Sequence, residues 1–228
     1  IPRRKGSRMP ADPFTEERRR MVEDQIRSRG IRNERVLAAM EKIPRHLFVP
    51  ENLRRMAYED RPLPIGEGQT ISQPYIVALM TDLLDPHAGD RILEIGAGSG
   101  YQAAILSELA SEVITIERIP AVAAGARRNL SAAGYRRVHV VGGDGTLGHP
   151  PKAPYQGILV TAGTPDVPPP LIGQLADGGR LVAPVGPHGI QELVRIVREG
   201  ERIRRETHGG VVFVPLIGEY GWKEAEGE

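Results

Sequence analysis

A glycine-rich loop behind an acidic residue is the segment of this chain best suited to bind a nucleotide-like ligand. Gly96, Gly98 and Gly100 follow Glu94 closely, and glycine allows both positive φ and close approach of a ligand. The dinucleotide fingerprint needs glycine at the sixth position, where this chain has Tyr101. The Gly-Lys-Ser/Thr of Walker phosphate loops is also missing. An acidic residue here would repel a pyrophosphate, but it suits a ligand that carries an amino group and a sulfonium.

Two further acidic residues stand where such a ligand would extend. Glu117 lies 21 positions after Gly96 (117 − 96), where a carboxylate accepts the ribose hydroxyls in Rossmann-like sites. Asp144, between Gly143 and Gly145, could meet the adenine amino group. The alternative is three unrelated surface carboxylates, which we disfavour because each ends a consecutive predicted strand, where open α/β sheets bind ligands. The loop and the carboxylates therefore predict S-adenosylmethionine as the cofactor.

Predicted strands, which are short and aliphatic, alternate with predicted helices, and this framework must position these residues. Buried strands are predicted at 91–95, 113–117, 138–141, 157–161 and 180–185, with helices at 100–110, 120–133 and 168–176. This alternation is typical of a parallel sheet with right-handed crossovers. Later strands at 191–198, 202–207 and 211–216 have little helix between them. The predicted class is α/β: a Rossmann-like, mostly parallel, doubly wound sheet with N-terminal helices and an antiparallel C-terminal edge.

The segment before the sheet is predicted to open with two short helices. Thr15 and Asn33 are their predicted N-caps, and residues 44–71 carry no sustained period but are too apolar for a disordered linker. An apolar stripe at helical spacing then begins at Ile76, with Ser72 as the expected N-cap. The predicted organisation is a flexible tail (1–15), a helical and loop segment forming part of the substrate cleft (16–72), the methyltransferase domain with its C-terminal strands (73–218) and a C-terminal tail (219–228).

Composition narrows the function classes. The chain has no cysteine, which excludes disulfides, cysteine zinc sites and cysteine nucleophiles. Its formal net charge of +1 provides no global attraction for nucleic acid or anionic membrane. No apolar run approaches the roughly 20 residues that span a bilayer, and no hydrophobic segment follows the basic start. We expect a cytoplasmic protein that binds neither nucleic acid nor membrane.

The chain resembles the protein-L-isoaspartate O-methyltransferase family over roughly residues 16–218. The resemblance rests first on Gln69-Thr70-Ile71-Ser72-Gln73-Pro74, which is more specific than the glycine loop, and then on Leu93–Gln102 and Gly143-Asp144-Gly145. Further matching segments are Ala153-Pro154-Tyr155, Gln174-Leu175, Gly178–Val182, Pro184-Val185-Gly186 and Phe213–Leu216.

The resemblance implies methyl transfer from S-adenosylmethionine to the free α-carboxylate of L-isoaspartyl residues in damaged proteins. The methyl ester then collapses to a succinimide, whose hydrolysis returns some normal aspartate. Ser72 is implied as the catalytic residue, and Ser72, Tyr75 and Val214 as substrate contacts. The residues implied for the cofactor are Gln69, Thr70, Ile71, Ser72, Glu94, Gly96, Ala97, Gly98, Ser99, Glu117, Arg118, Asp144 and Gly145.

The chemistry of Ser72 fits this role. A carboxylate is already anionic at neutral pH, so the enzyme needs to orient it rather than deprotonate it, and orientation supplies several kcal/mol. A serine at a helix N-terminus offers a hydroxyl where the helix dipole favours an anion. The residues alone leave open an ordinary N-cap, worth about 1 kcal/mol to folding.

The chain departs from the family pattern in three places. Gln73 and Tyr75 stand where many relatives have alanine and histidine, so a contact made by that histidine would fall to Tyr75 here. Gln156 replaces a frequent aspartate, and Thr161–Pro165 replaces the usual run of alanines. None of these changes removes a charge that the reaction requires.

Three other functions remain as alternatives. The first is another Rossmann-like methyltransferase, acting on RNA, DNA or a small molecule. A nucleic-acid substrate would predict a basic face, and only the N-terminal arginines suggest one. The second is a protein that binds the cofactor without turnover. The three acidic residues Glu94, Glu117 and Asp144, together with Ser72, argue against it. A metalloenzyme is disfavoured because the six histidines are scattered without ligand spacing, so we expect no metal. We expect a monomer, because a protein substrate needs an open cleft.

Overall fold

The computed structural model describes residues 12–224; the outer parts of both predicted tails, 1–11 and 225–228, lie outside the described residues. The described α-helices are α1 (Thr15–Arg20), α2 (Glu34–Lys42), α3 (Pro74–Leu84), α4 (Tyr101–Ser107), α5 (Pro120–Ala132) and α6 (Pro169–Gly173). The described strands are β1 (Leu63–Gly66), β2 (Gln69–Ile71), β3 (Arg91–Ile95), β4 (Glu112–Glu117), β5 (His139–Gly142), β6 (Tyr155–Val160), β7 (Leu175–Val185), β8 (Gln191–Glu199) and β9 (Arg202–Val211).

A seven-stranded sheet in the order β5-β4-β3-β6-β7-β8-β9 forms the centre of the molecule. The strands β3 to β7 pair parallel with one another, whereas β8 pairs antiparallel with both β7 and β9. This confirms the predicted fold class. The chain moves outward from β3 to β5 and then returns to the other side of β3. The strand order therefore reverses between β3 and β6, and open α/β sheets bind ligands at the carboxyl ends of strands at such a point.

Apolar side chains cover both faces of the sheet. Ile92 and Val113 join the larger core cluster with α3 and α4, whereas Leu93 and Ile114 join the second cluster with α6. Successive strand residues point to opposite faces, so the continuous aliphatic runs of β3 and β4 fill both cores. Among the described residues, no helix is long and apolar enough to cross a membrane.

Two predicted N-caps are each wrong by one position. Phe14 rather than Thr15 holds the N-cap position of α1, and the Thr15 hydroxyl donates to the Asp12 carbonyl at 2.8 Å. Gln73 rather than Ser72 holds the N-cap position of α3. The reason is Pro74, which lacks an N–H and has a helical φ, and so takes the first helical position. The Asn33 cap of α2 is confirmed, since its side chain accepts from the Arg35 N–H.

The first predicted helix continues past α1 as a π-helical turn (Met21–Ile26) and a 3-10 turn (Arg27–Arg29). The stretch 44–71, predicted as an ordered loop, contains two 3-10 turns (Arg45–Phe48 and Glu51–Met56) and the hairpin β1-β2. The hairpin carries Gln69, Thr70 and Ile71 to the edge of the sheet.

The third C-terminal strand, predicted at 211–216, is absent from the described structure. The strand β9 ends at Val211, and Pro215 makes only an isolated bridge with Gly163. Proline cannot donate to a ladder, and the chain instead crosses the segment after β6: the Gly163 N–H donates to the Val214 carbonyl, and the Leu216 N–H to the Gly163 carbonyl, both at 2.7 Å. This crossing brings 214–217 to the carboxyl ends of the parallel strands.

Candidate active site

A cavity of about 350 Å³ opens at the carboxyl ends of β3 and β4. The hairpin β1-β2, the glycine loop after β3 and the crossing segment 214–217 enclose it. The sequence-predicted residues that line it are Gln69, Thr70, Ile71, Ser72, Glu94, Gly96, Ala97, Gly98, Ser99, Glu117, Arg118, Gly145 and Val214. The fold thus brings together in one cavity residues that span more than 140 positions of the chain.

The glycine loop has the backbone shape that its composition predicted. Gly96, Gly98 and Gly100 have φ values of 99°, 50° and 89°, which L side chains rarely adopt. At Gly96 there is also no room, since a Cβ would lie 2.5 Å from the Thr161 hydroxyl oxygen. That hydroxyl donates to the carbonyls of Ile95 and Gly96 at 2.9 and 2.7 Å. The loop is therefore fixed against β6 with its backbone facing the cavity.

Glu94 is fully buried at the cavity wall, and neither of its carboxylate oxygens has a hydrogen-bond partner among the described residues. Burial raises the pKa of the Glu94 carboxyl to about 8, and the nearby Glu117 carboxylate adds to the rise. Buried polar groups are normally paired, so an unpaired carboxylate facing a cavity fits a ligand with cationic hydrogen-bond donors. The ammonium group of S-adenosylmethionine is such a donor.

Glu117 is held rigidly at the end of β4. One carboxylate oxygen accepts from the Gly98 N–H and the other from the Ile119 N–H, both at 3.0 Å. Each carboxylate oxygen can accept more than one hydrogen bond, so the side chain still has capacity for two vicinal hydroxyls. Its two backbone bonds fix its direction and tie it to the glycine loop.

Asp144 is placed differently from the other two carboxylates. Its Oδ1 accepts from the Thr146 N–H and hydroxyl, and its Oδ2 accepts from the Glu219 N–H at 2.8 Å. These hydrogen bonds lower the pKa of the Asp144 carboxyl, although partial burial opposes them. Its neighbour Gly145 lines the cavity, whereas the Asp144 side chain turns toward 218–219. The structure therefore gives Asp144 a role in holding the C-terminal segment over this end of the sheet.

Ser72 lies between β2 and α3 and lines the cavity as a half-buried residue. Tyr75, one turn further, does not line it. The Arg29 guanidinium lies 3.6 Å from the centre of the Tyr75 ring, and Arg29 also pairs with Asp60 at 3.1 Å. The structure thus joins Ser72 and Val214 to the cofactor cavity and leaves Tyr75 outside its wall.

Several lining residues were not predicted as site residues. Gln102 donates to the Thr81 hydroxyl at 2.9 Å and lines the cavity beside Tyr101. Thr161 lines it from the end of β6. The remaining ones are Gly68, Val77, Met80, Ile95, Ile116, Ile119, Ala162, Pro215, Leu216 and Ile217. Gln102 belongs to the glycine-loop segment Leu93–Gln102 and Thr161 to the segment Thr161–Pro165, so both lie in recognisable stretches of sequence. Nothing in the sequence distinguishes an apolar wall residue from a core residue.

Among the described residues, no three His, Asp or Glu side chains come together in a way that could hold a metal ion. The polar groups of the cavity are instead the carboxylates, hydroxyls and backbone groups described above.

The family model for protein-L-isoaspartate(D-aspartate) O-methyltransferase matches residues 16–221. The chain belongs to this family. A relative from Methanoculleus marisnigri named protein-L-isoaspartate O-methyltransferase is 63% identical over 215 residues, covering 94% of this chain and 98% of that protein. A relative of the same name from Methanopyrus kandleri is 57% identical over 220 residues, covering 93% and 96%. Membership confirms the resemblance and the enzyme class predicted from the sequence, a protein carboxyl O-methyltransferase.

Solved structures of the family have the same fold. A protein-L-isoaspartate O-methyltransferase matches with a TM-score of 0.80 at 28% identity, covering 89% of this chain and 67% of that one. A Plasmodium falciparum protein described with the same activity, in complex with S-adenosyl-L-homocysteine, matches with a TM-score of 0.76 at 23% identity, covering 88% and 98%.

Proposed function

We propose that this cavity transfers the methyl group of S-adenosylmethionine to the α-carboxylate of L-isoaspartyl residues, with the donor at the glycine loop and the acceptor at Ser72. The observation that carries the proposal is the shared cavity: the loop, Glu94 and Glu117 line one part of it, and Ser72 and Val214 complete its wall. A site for donor binding alone would not need the Ser72 segment. Family membership supplies the acceptor class.

The donor side is built to hold a cationic nucleoside. Gln69, Thr70, Ile71, Ala97, Ser99, Arg118 and Gly145 complete its proposed wall. Glu117 would accept the ribose hydroxyls, and Glu94 would pair with the ammonium group. Asp144 would act on the adenine end through its hydrogen bonds to 146 and 219. When bound, S-adenosylmethionine supplies a methyl group on a positively charged sulfur, and transfer breaks that carbon–sulfur bond to leave neutral S-adenosyl-L-homocysteine.

The acceptor side needs orientation more than acid–base chemistry. The isoaspartyl carboxylate is ionised at neutral pH and attacks through an oxygen lone pair. The Ser72 hydroxyl would donate to one carboxylate oxygen and leave the other directed at the methyl group. The walls at Val77 and Met80 would exclude water that competes for these bonds. The resulting ester would lose methanol as the following backbone nitrogen closes the succinimide.

Tyr75 is proposed to act at the outer rim, against residues that flank the isoaspartyl site. Its ring is half-buried and held by Arg29, so it offers a fixed edge. We further propose that 16–72 forms part of the cleft for damaged proteins and 73–218 the methyltransferase domain, in a cytoplasmic monomer that binds neither nucleic acid nor membrane.

A peptide pair tests the proposed function. Two peptides that differ only in isoaspartyl against aspartyl linkage are incubated with the protein and methyl-labelled S-adenosylmethionine. We expect base-labile methyl ester on the isoaspartyl peptide alone. Equal labelling of both peptides would overturn the acceptor assignment, and label on neither, with donor still bound, would favour a binding protein without turnover.

A further inference from the structure

Arg45 is a cation buried directly behind the acceptor side of the cavity. The 3-10 turn Arg45–Phe48 places its side chain at 0% exposure. Its Nε donates to the Ala57 carbonyl at 2.7 Å and its Nη2 donates to the Ser72 carbonyl at 2.8 Å. Its Nη1 is buried and has no hydrogen-bond partner within residues 12–224. The guanidinium thus holds the backbone of Ser72 and keeps an unused donor.

The charge of Arg45 is not neutralised by a nearby acid. No Asp or Glu oxygen within residues 12–224 forms an ion pair with it, and its other close neighbour is the Tyr101 ring, 4.9 Å from Cζ. Burial lowers the pKa of Arg45 to about 10, so the side chain remains protonated at neutral pH. Arg18 provides the contrast, because this similarly buried arginine pairs with Asp12 at 2.6 Å.

A lone buried cation is unfavourable unless a counter-charge arrives. Ser72 and Tyr101 both line the cavity, so Arg45 lies only one residue behind its wall. In such a low-dielectric position, a positive charge attracts an anion in the cavity more strongly than it would in water. The acceptor of the proposed reaction is itself an anion.

We propose that Arg45 is a positioning and specificity residue: it fixes the backbone of Ser72 and gives the acceptor side a positive potential that selects a carboxylate. This inference rests on the proposed function. The carboxylate of the bound isoaspartyl residue supplies a counter-charge that none of the described acidic residues supplies to Arg45. A neutral acceptor of the same shape gains the hydrogen bond from Ser72 but not the charge interaction.

The test compares two peptides whose isoaspartyl residue carries either the free α-carboxylate or the neutral α-carboxamide. Their dissociation constants are measured by calorimetry with S-adenosyl-L-homocysteine bound, and their ratio reports the preference for charge. We expect Arg45→Met and Arg45→Gln to reduce this preference at least about tenfold, as expected for loss of a charge pair at intermediate dielectric. The affinity for S-adenosyl-L-homocysteine should stay within about twofold. Arg45→Lys should keep most of the preference.

Arg18→Met is the matched control, because it removes a buried arginine that does not contact Ser72. We expect this variant to keep the wild-type preference. A structural role of Arg45 would weaken both peptides equally and leave the ratio unchanged, and that result in Arg45→Met or Arg45→Gln would overturn the proposal. The proposed function fails separately, if the wild-type protein does not esterify the isoaspartyl peptide.

Discussion

At the residue scale, three carboxylates near one cavity differ in their surroundings. Glu94 is fully buried and unpaired, Glu117 is fixed by two backbone N–H groups, and Asp144 is bonded to the segments at 146 and 219. Similar side chains at neighbouring strand ends can therefore contact different groups. In the proposed function, Glu94 meets a cation and Glu117 presents its oxygens in a fixed direction, whereas Asp144 holds backbone.

Glu94 makes the stability of the ligand-free protein depend on pH. Its pKa is raised from 4.5 to about 8 by burial, so between these values the folded state retains a proton that the unfolded chain loses. Stability contributed by this group is greatest below pH 4.5 and falls by up to about 1.4 kcal/mol per pH unit as pH rises toward 8. We expect Glu94→Gln to stabilise the ligand-free protein relative to wild type, by more at pH 8 than at pH 5, in urea unfolding.

Glu112→Gln is the control for this prediction. Glu112 lies at the amino end of β4, away from the cavity, and hydrogen bonds from Arg91 and Lys152 lower its pKa. Its carboxylate is ionised throughout pH 5–8, so its substitution should change stability equally at both pH values. A constant difference for Glu94→Gln as well would mean that Glu94 is ionised in the folded protein.

At the element scale, the glycine loop and β6 form one unit. We expect Gly96→Ala to weaken S-adenosyl-L-homocysteine binding at least about tenfold, because positive φ strains alanine and its Cβ would lie 2.5 Å from the Thr161 hydroxyl oxygen. Calorimetry measures the affinity. Gly134→Ala is the control: Gly134 has a similar φ of 90° but nothing within 4 Å of an added Cβ, so it should lose stability without losing affinity. Equal affinity losses would contradict the proposed fit of the loop.

The elements that sequence reasoning predicted well are those with a strong local signal. The strand β3 agrees at both ends, and the loop after it has the positive φ values that its glycines require. Predictions failed where a neighbouring residue changed a local rule: Pro74 displaced the expected cap at Ser72, and Pro215 prevented the strand expected at 211–216. The hairpin β1-β2 was missed because strands of four and three residues are too short to show alternation.

The site was predictable where chemistry is visible in residue type. The glycines, Glu94 and Glu117 follow from spacing, whereas Ser72 was favoured only with the family resemblance beside it. Arg45 gave no signal, because an arginine in an apolar stretch is ordinarily read as exposed, and only the fold shows its burial. The direction of the Asp144 side chain also depends on residue 219, 75 positions away in the chain.

At the scale of the whole molecule, the cavity joins segments that are distant in sequence. The hairpin β1-β2, the ends of β3, β4 and β6, and the crossing segment 214–217 all contribute to its wall. Residues 219–224, assigned to a tail from the sequence, also pack on this side: Trp222 lies 3.8 Å from His188 between ring centres, and Glu224 pairs with Arg118. A ligand that fills the cavity therefore bridges much of the domain.

Ligand binding should therefore stabilise the whole fold. S-adenosyl-L-homocysteine at about 100 times its Kd adds roughly 2.7 kcal/mol, which raises the Tm of a chain this long by about 5–10 °C. Thermal unfolding with and without ligand measures the shift. NAD is the matched control, because the loop has Tyr101 where the dinucleotide fingerprint needs glycine. A comparable shift with NAD would contradict the assignment of the loop.

The central claim is that one cavity has a donor side at Glu117 and an acceptor side at Ser72. The most direct test is the kcat of Ser72→Ala for an isoaspartyl peptide at saturating S-adenosylmethionine, with the Kd for S-adenosyl-L-homocysteine measured on the same sample and Glu117→Ala as its counterpart. We expect Ser72→Ala to lower kcat at least about 100-fold while its Kd stays within about twofold of the wild-type value. We expect Glu117→Ala chiefly to raise the Kd. An unchanged kcat in Ser72→Ala, or equal losses in kcat and affinity, would contradict the claim.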